Sequence, residues 1–229
     1  MIPKIIHYCW LSNDPIPPKL QLCMDSWKKY LPDYEFMLWN FERFDINQSL
    51  WVRQAFEVKK YAFAADYIRL YAVYHYGGIY MDMDVEVCKS FNPLLSREYI
   101  LGYETQIGIE AGIFGGEKGA KWLKKCLDYY ENKEFVLDNQ KFDTRTLPKI
   151  MFELLADERA YFDILPFEYL TAKSYRTGKI VRTNNTYSIH HFAGSWTTKK
   201  QKIYRLVFRL FGLKTARFCS KYYKYFFEK

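Results

Sequence analysis

Residues 61–76 carry an alanine-rich helical pattern that stops at Gly77-Gly78, glycine being the commonest residue just past a last helical turn. The period then changes at once: Ile79, Met81, Met83, Val85 and Val87 alternate with Tyr80, Asp82, Asp84 and Glu86. A helix that hands over to a strand across two glycines must fold back on it, and this junction limits the architecture more than any other segment. The same switch recurs along the chain. Strand patterns cover residues 2–10, 34–39, 99–104, 107–114 and 161–167; helical spacing covers 20–31 (Leu20, Met24, Trp27, Leu31), 50–60, 118–130 and 147–156. Alternating strands and helices predict an α/β fold with helices packed on a sheet.

Composition narrows the class. The 229 residues are 49% hydrophobic and 20% aromatic, enough for a sizeable core and incompatible with a disordered chain. Cys9, Cys23, Cys88, Cys126 and Cys219 are odd in number and contain no C-x-x-C pair. That argues against a disulfide framework or zinc site and for a reducing compartment. No stretch approaches 18 uninterrupted apolar residues, and the start, Met1-Ile2-Pro3-Lys4, reads as the approach to a strand and not as a signal peptide. A cytoplasmic body is expected.

The net charge of +8 is unevenly spread. Residues 199–229 hold ten Lys and Arg against the single acid Glu228, a charge of +9, which leaves −1 on residues 1–198. A nucleic-acid-binding fold is disfavoured, because its basic footprint belongs on the folded body. In the tail, Ile203, Leu206, Val207, Leu210 and Phe211 recur at helical spacing opposite Lys202, Arg205 and Arg209. Basic amphipathic segments with aromatics suit an anionic membrane surface, here the inner face of the cell membrane; a helix packed on the body with a solvated basic face has the same pattern. Two units are expected, a catalytic body at 1–198 and a basic helical tail at 199–229.

Read as one strand, residues 79–87 put Asp82, Asp84 and Glu86 on one face. Their repulsion needs a positive partner, and a strand rise sets Asp82 and Asp84 roughly 6–7 Å apart, within reach of one divalent ion. Mn²⁺ or Mg²⁺, hard ions that favour oxygen ligands, would fit. A solvated acidic edge strand would look the same. Asp66 and Arg69, three apart on the preceding helix, can share a face.

Taken together, Ala65-Asp66-Tyr67-Ile68-Arg69 and Gly77-Gly78-Ile79-Tyr80-Met81-Asp82-Met83-Asp84 resemble the DXD-containing sugar transferases of glycosyltransferase family 32. That family includes yeast-type initiating mannosyltransferases and bacterial capsule enzymes, and the clostridial glucosylating toxins have a similar core. The likeness extends to Pro3-Lys4-Ile5-Ile6-His7-Tyr8-Cys9-Trp10, to Ile109-Glu110-Ala111-Gly112-Ile113-Phe114-Gly115, and to His190-His191-Phe192-Ala193-Gly194-Ser195-Trp196. It implies a GT-A fold and a metal-dependent, retaining transfer of a sugar from a nucleotide-sugar, a UDP-sugar ahead of a GDP-sugar, to a glycan or lipid-linked acceptor in surface or capsular polysaccharide synthesis.

By the same resemblance Asp84 is a direct metal ligand, and Asp82 contacts the donor and the metal shell. Asp66 and Arg69 hold sugar hydroxyls and phosphate oxygens, Tyr80 lies beside the diphosphate, and Trp10 stacks on the base. His191 completes the metal shell, with Ser195 beside the donor and Trp196 closing over the diphosphate. One of the adjacent histidines must face away, and His7 is assigned to the core. Glu110 stands where the toxins have an asparagine and is taken as a catalytic base, nucleophile or ion-pair partner. Retention without an evident nucleophile implies front-face displacement, the leaving phosphate accepting the acceptor's proton. Two other classes stay open: a non-catalytic nucleotide-sugar or glycan-binding protein, and a membrane-surface adaptor acting through its tail.

Overall fold

The computed structural model describes residues 1–105, 108–138 and 141–194, and in the tail only Ile203, Leu206 and Val207. Ser195, Trp196, Cys219 and the amphipathic pattern of 199–229 as a whole therefore lie outside the described residues.

Strand β1 (Ile5–Cys9) runs parallel to both β2 (Glu35–Trp39) and β3 (Gly78–Met81). Antiparallel strands β8 (Ile113–Gly116) and β5 (Tyr99–Ile100) complete a mixed sheet of order β2-β1-β3-β8-β5. Between β1 and β2 comes helix α1 (Pro18–Tyr30), and between β2 and β3 come α2 (Leu50–Glu57) and α3 (Tyr61–Tyr76). Parallel neighbours need such crossovers. After β8 follow α4 (Lys121–Asp128), α5 (Leu147–Leu154) and the single turn α6 (Phe167–Leu170).

Alternation along β3 separates two cores. Ile79 and Met81 point with Ile6, Ile113 and Trp27 into one hydrophobic cluster; Tyr80 points with Phe114, Ile68 and Leu123 into the other. Helix α3 is apolar on nearly all sides, as befits a helix enclosed by its neighbours, so its buried Asp66 and Arg69 stand out. The double glycine is required by space as well as by conformation. Gly78 has φ +105°, and a Cβ there would lie 2.6 Å from the Ile5 carbonyl oxygen, a distance the backbone of β1 cannot relieve.

His7 belongs to the core, as expected. Its Nδ1 accepts from Trp39 Nε1 (3.1 Å) while its Nε2 donates to the Gly77 carbonyl (2.7 Å), which fixes the neutral tautomer and ties β1 to the end of α3.

Four expectations are corrected. Residues 79–87 are not one strand: β3 ends at Met81, the chain turns through 82–84, and β4 (Val85–Val87) leaves the main sheet to pair with β9 (Ser188–His190). The cause is lateral pairing. Asp82 still donates its N–H to the Gly112 carbonyl at 2.7 Å, but past it Trp27 of α1 donates to the Val85 carbonyl at 2.6 Å and redirects the chain. The strand patterns at 99–104 and 107–114 break into four short pieces, β5, β6 (Tyr103–Thr105), β7 (Gly108–Ile109) and β8; β6 and β7 form a separate pair. Residues 161–167 contribute one isolated bridge, Gly102 to Leu165, rather than a strand. The helix expected over 118–130 has its regular part at Lys121–Asp128.

Candidate active site

The turn at 82–84 opens into a cavity of about 610 Å³ at the C-terminal ends of β1 and β3, lined among others by Trp10, Asp66, Arg69, Tyr80, Glu110 and His190. Four of the expected residues form one connected network. Arg69 lies on α3 beneath the Tyr80 ring, its guanidinium carbon 4.7 Å from the centroid. It donates to the Ala111 carbonyl at 2.8 Å and reaches Asp66 at 3.4 Å and Asp82 at 3.3 Å. The Tyr80 hydroxyl donates to Asp82 Oδ1 at 2.8 Å. One arginine, held by a backbone carbonyl and an aromatic face, thus sets the position of two carboxylates. Burial pushes the Asp66 carboxyl up to about 7 despite the opposing pull of Arg69. Trp10 lines the cavity half-buried, its Nε1 donating to the Asp14 carbonyl at 2.9 Å.

Asp84 faces the other way around the same opening. Its Oδ2 accepts the Ala193 N–H at 2.6 Å and its Oδ1 lies 3.3 Å from His190 Nε2. Burial opposes its ionisation, yet His190 and the backbone donors overcome this and hold the carboxyl down at about 2. His190 Nε2 is also 3.9 Å from Asp82 Oδ2. Ligand atoms of Asp82, Asp84 and His190 all lie within 4.8 Å of one another, the one such trio among the described residues.

Here the histidine assignment is corrected. His190, not His191, joins the two aspartates. Successive side chains at the end of β9 point to opposite sides, so His191 turns outward, its Nε2 2.8 Å from Glu86 Oε2 and its Nδ1 3.3 Å from Lys173. Glu86 is thereby withdrawn from the acidic face expected of a continuous strand.

Glu110 also has a defined place. It is 2% exposed, and its Oε1 accepts the Gly112 N–H at 2.6 Å and faces His190 Nδ1 at 3.1 Å, while its Oε2 accepts from the Thr171 hydroxyl at 2.9 Å. These contacts place Glu110 against His190 as an ion-pair partner, one of the three roles considered for it, while it also lines the cavity. Gly112 is what lets them meet: a Cβ there would sit 2.4 Å from His190 Cε1.

Two carboxylates and one imidazole on a shared opening are a donor set suited to a divalent ion such as Mn²⁺, imidazole being less apt for Mg²⁺. The His190–Glu110 contact supplies the carboxylate partner that metal-binding histidines usually carry on their second nitrogen. The residues present therefore fit the ion. Sequence reasoning missed His190 as a member of the trio, and missed Glu104, Gly112, Thr171 and the Ala193 N–H as its surroundings. Gly112 and Ala193 had a visible signal, as members of the Ile109–Gly115 and His190–Trp196 motifs; Thr171 and Glu104, which lines the cavity, had none.

This arrangement, on a sheet of this order, is the GT-A glycosyltransferase fold. The PaToxG glycosyltransferase superposes with a TM-score of 0.52 at 21% identity, over 71% of this chain and 72% of that one. Residues 17–101 match the family described as the glycosyltransferase sugar-binding region containing DXD motif. It is 34% identical over 126 residues to inositol phosphoceramide mannosyltransferase 3 of Schizosaccharomyces pombe, covering 53% of this chain and 35% of that protein. It is 32% identical over 147 residues to mannosyl phosphorylinositol ceramide synthase SUR1 of Saccharomyces cerevisiae, covering 59% and 37%. The chain spans little more than a third of the length of these curated relatives.

Proposed function

We propose that the chain is a metal-dependent, retaining glycosyltransferase that moves a sugar from a nucleotide-sugar to a glycan or lipid-linked acceptor in surface polysaccharide synthesis. The observation that carries this reading is the convergence of Asp82, Asp84 and His190 at a cavity that also holds Asp66, Arg69 and Trp10. A divalent ion bound by that trio would supply positive charge against the negative charge that builds on the departing diphosphate.

The remaining roles belong to the chain's own side chains. Arg69, buried and fixed by Ala111, offers a second preorganised cation to the same developing charge. Asp66 and Asp82 present carboxylate oxygens on the cavity wall to sugar hydroxyls, and the flat ring of Trp10 suits a base.

The names of the yeast relatives, mannosyl transferases acting on inositol phosphoceramide, make a mannosyl donor and a lipid-carried acceptor the first to assay. Attachment of the 199–229 tail to the inner face of the cell membrane would bring the body to such an acceptor. The test is release of nucleoside diphosphate from a panel of UDP- and GDP-sugars with Mn²⁺. Ion-dependent release, lost in Asp84→Ala, is expected; no release from any donor would overturn the reading in favour of a binding protein.

A further inference from the structure

At the rim of the cavity, residues 173–182 make a hairpin-like excursion. Lys173 and Ile180 form an antiparallel bridge, Ser174 N–H donates to the Lys179 carbonyl at 2.9 Å and Val181 N–H to the Ala172 carbonyl at 2.8 Å. Gly178, at φ +74°, closes the turn. The inward side of the hairpin belongs to the site: Tyr175 lines the cavity and meets Phe192 edge-on at 5.3 Å, and Phe192 in turn stacks on His190 at 4.0 Å.

Its exposed residues have another chemistry. Arg176, Lys179 and Arg182 are exposed, and residues 173–182 contain four basic side chains and no acid. Between these cations, Ile180 and Val181 stand 45% and 40% exposed. Two adjacent branched apolar side chains in water are a net loss unless something covers them. A soluble polyanion would satisfy the cations and leave Ile180 and Val181 wet. An anionic bilayer meets both demands at once, phosphates for the cations and an apolar boundary a few ångströms deeper.

We propose that the 173–182 hairpin seats on an anionic lipid bilayer, with Ile180 and Val181 in the headgroup boundary and Lys179 and Arg182 against lipid phosphates. The mouth of the cavity then faces the membrane surface. This contact is distinct from any made by residues 199–229, and it does not depend on the transferase reading, because binding is measured without donor or metal.

The test is flotation of the full chain with phosphatidylcholine vesicles, with and without phosphatidylglycerol. Binding only to the phosphatidylglycerol vesicles is expected. Lys179→Gln with Arg182→Gln should weaken it roughly fivefold for each charge removed, and Ile180→Asp with Val181→Asp should weaken it at least as much. Unchanged melting temperatures establish that the variants are folded, since all four side chains are exposed. Variants that float like the parent chain would overturn the proposal and leave all binding to the tail. So would variants that keep vesicle binding while losing retention on single-stranded polyuridylate, the outcome expected of a nucleic-acid surface.

Discussion

His190 stands between two acids, its Nδ1 3.1 Å from Glu110 and its Nε2 3.3 Å from Asp84. One ring nitrogen is therefore held by a buried carboxylate while the other is aimed at the opening, and the ring's orientation is decided before any ligand arrives. Replacing Glu110 with Gln keeps the shape but removes the charge that holds the ring. Mn²⁺ affinity, read from the ion dependence of nucleoside diphosphate release, should fall on the order of 10–100-fold, with little change in thermal stability. An unaltered Mn²⁺ dependence would show that Glu110 does not act through His190.

Gly112→Ala attacks the same contact from the backbone side. The added methyl would lie 2.4 Å from His190 Cε1 and 3.0 Å from Glu110 Oε1, so the imidazole must leave its place. The expected result is loss of at least 90% of ion-dependent activity, about the factor assigned to a disturbed metal partner, in a chain whose circular dichroism is unchanged. Gly116→Ala is the matched control, since a Cβ there meets only ordinary van der Waals contacts of 3.4–3.6 Å and the position does not need a positive φ.

Removing Arg69 should be a stability lesion as well as a catalytic one. Asp66 and Asp82 both depend on it, and its guanidinium is buried under Tyr80. Arg69→Ala leaves two acids without their cation and should cost about 3–5 kcal/mol in urea denaturation. A loss below about 1 kcal/mol would mean that water or another cation already compensates them.

His7, outside the cavity lining, predicts a pH dependence of stability. Burial lowers its pKa from 6.5 to about 4, although its bond to the Gly77 carbonyl works in the opposite direction. The unfolded chain therefore binds a proton between pH 6.5 and 4 that the folded chain refuses. Stability from this group is full above pH 6.5 and falls as the pH drops toward 4, by about 3 kcal/mol in total. Denaturation midpoints measured across that window should fall steeply in the parent chain and less so in His7→Gln; parallel slopes would contradict the assignment.

The main elements were legible because their signals are local. Helix α3 and its Gly77-Gly78 stop were read to the residue, since both depend on near neighbours in the chain. The break at 82–84 was not, because Ile79 to Val87 alternate faultlessly and what bends them is Trp27 and β9, distant in sequence. The candidate site followed the same rule. Asp66, Arg69, Asp82 and Asp84 were named from one stretch of sequence, and the structure gathers them at one cavity. Choosing between His190 and His191 required the parity of β9, which its register against β4 sets and no local pattern reveals. Glu110 was noticed as a carboxylate, but its work is defined by His190, eighty residues on.

The pairing of β4 with β9 has a consequence for biosynthesis. Asp82 and Asp84 sit on a turn between two sheets, and the strand that carries His190 is supplied more than a hundred residues later. A nascent chain can build the β1–β3 core and display both carboxylates long before the imidazole emerges, so the ion trio closes only once β9 has been made. Chains halted at residue 187 should fold their first core yet hold Mn²⁺ weakly, and an arrested-chain binding assay would show it. Until β9 emerges, the nascent protein is a fold without a working centre.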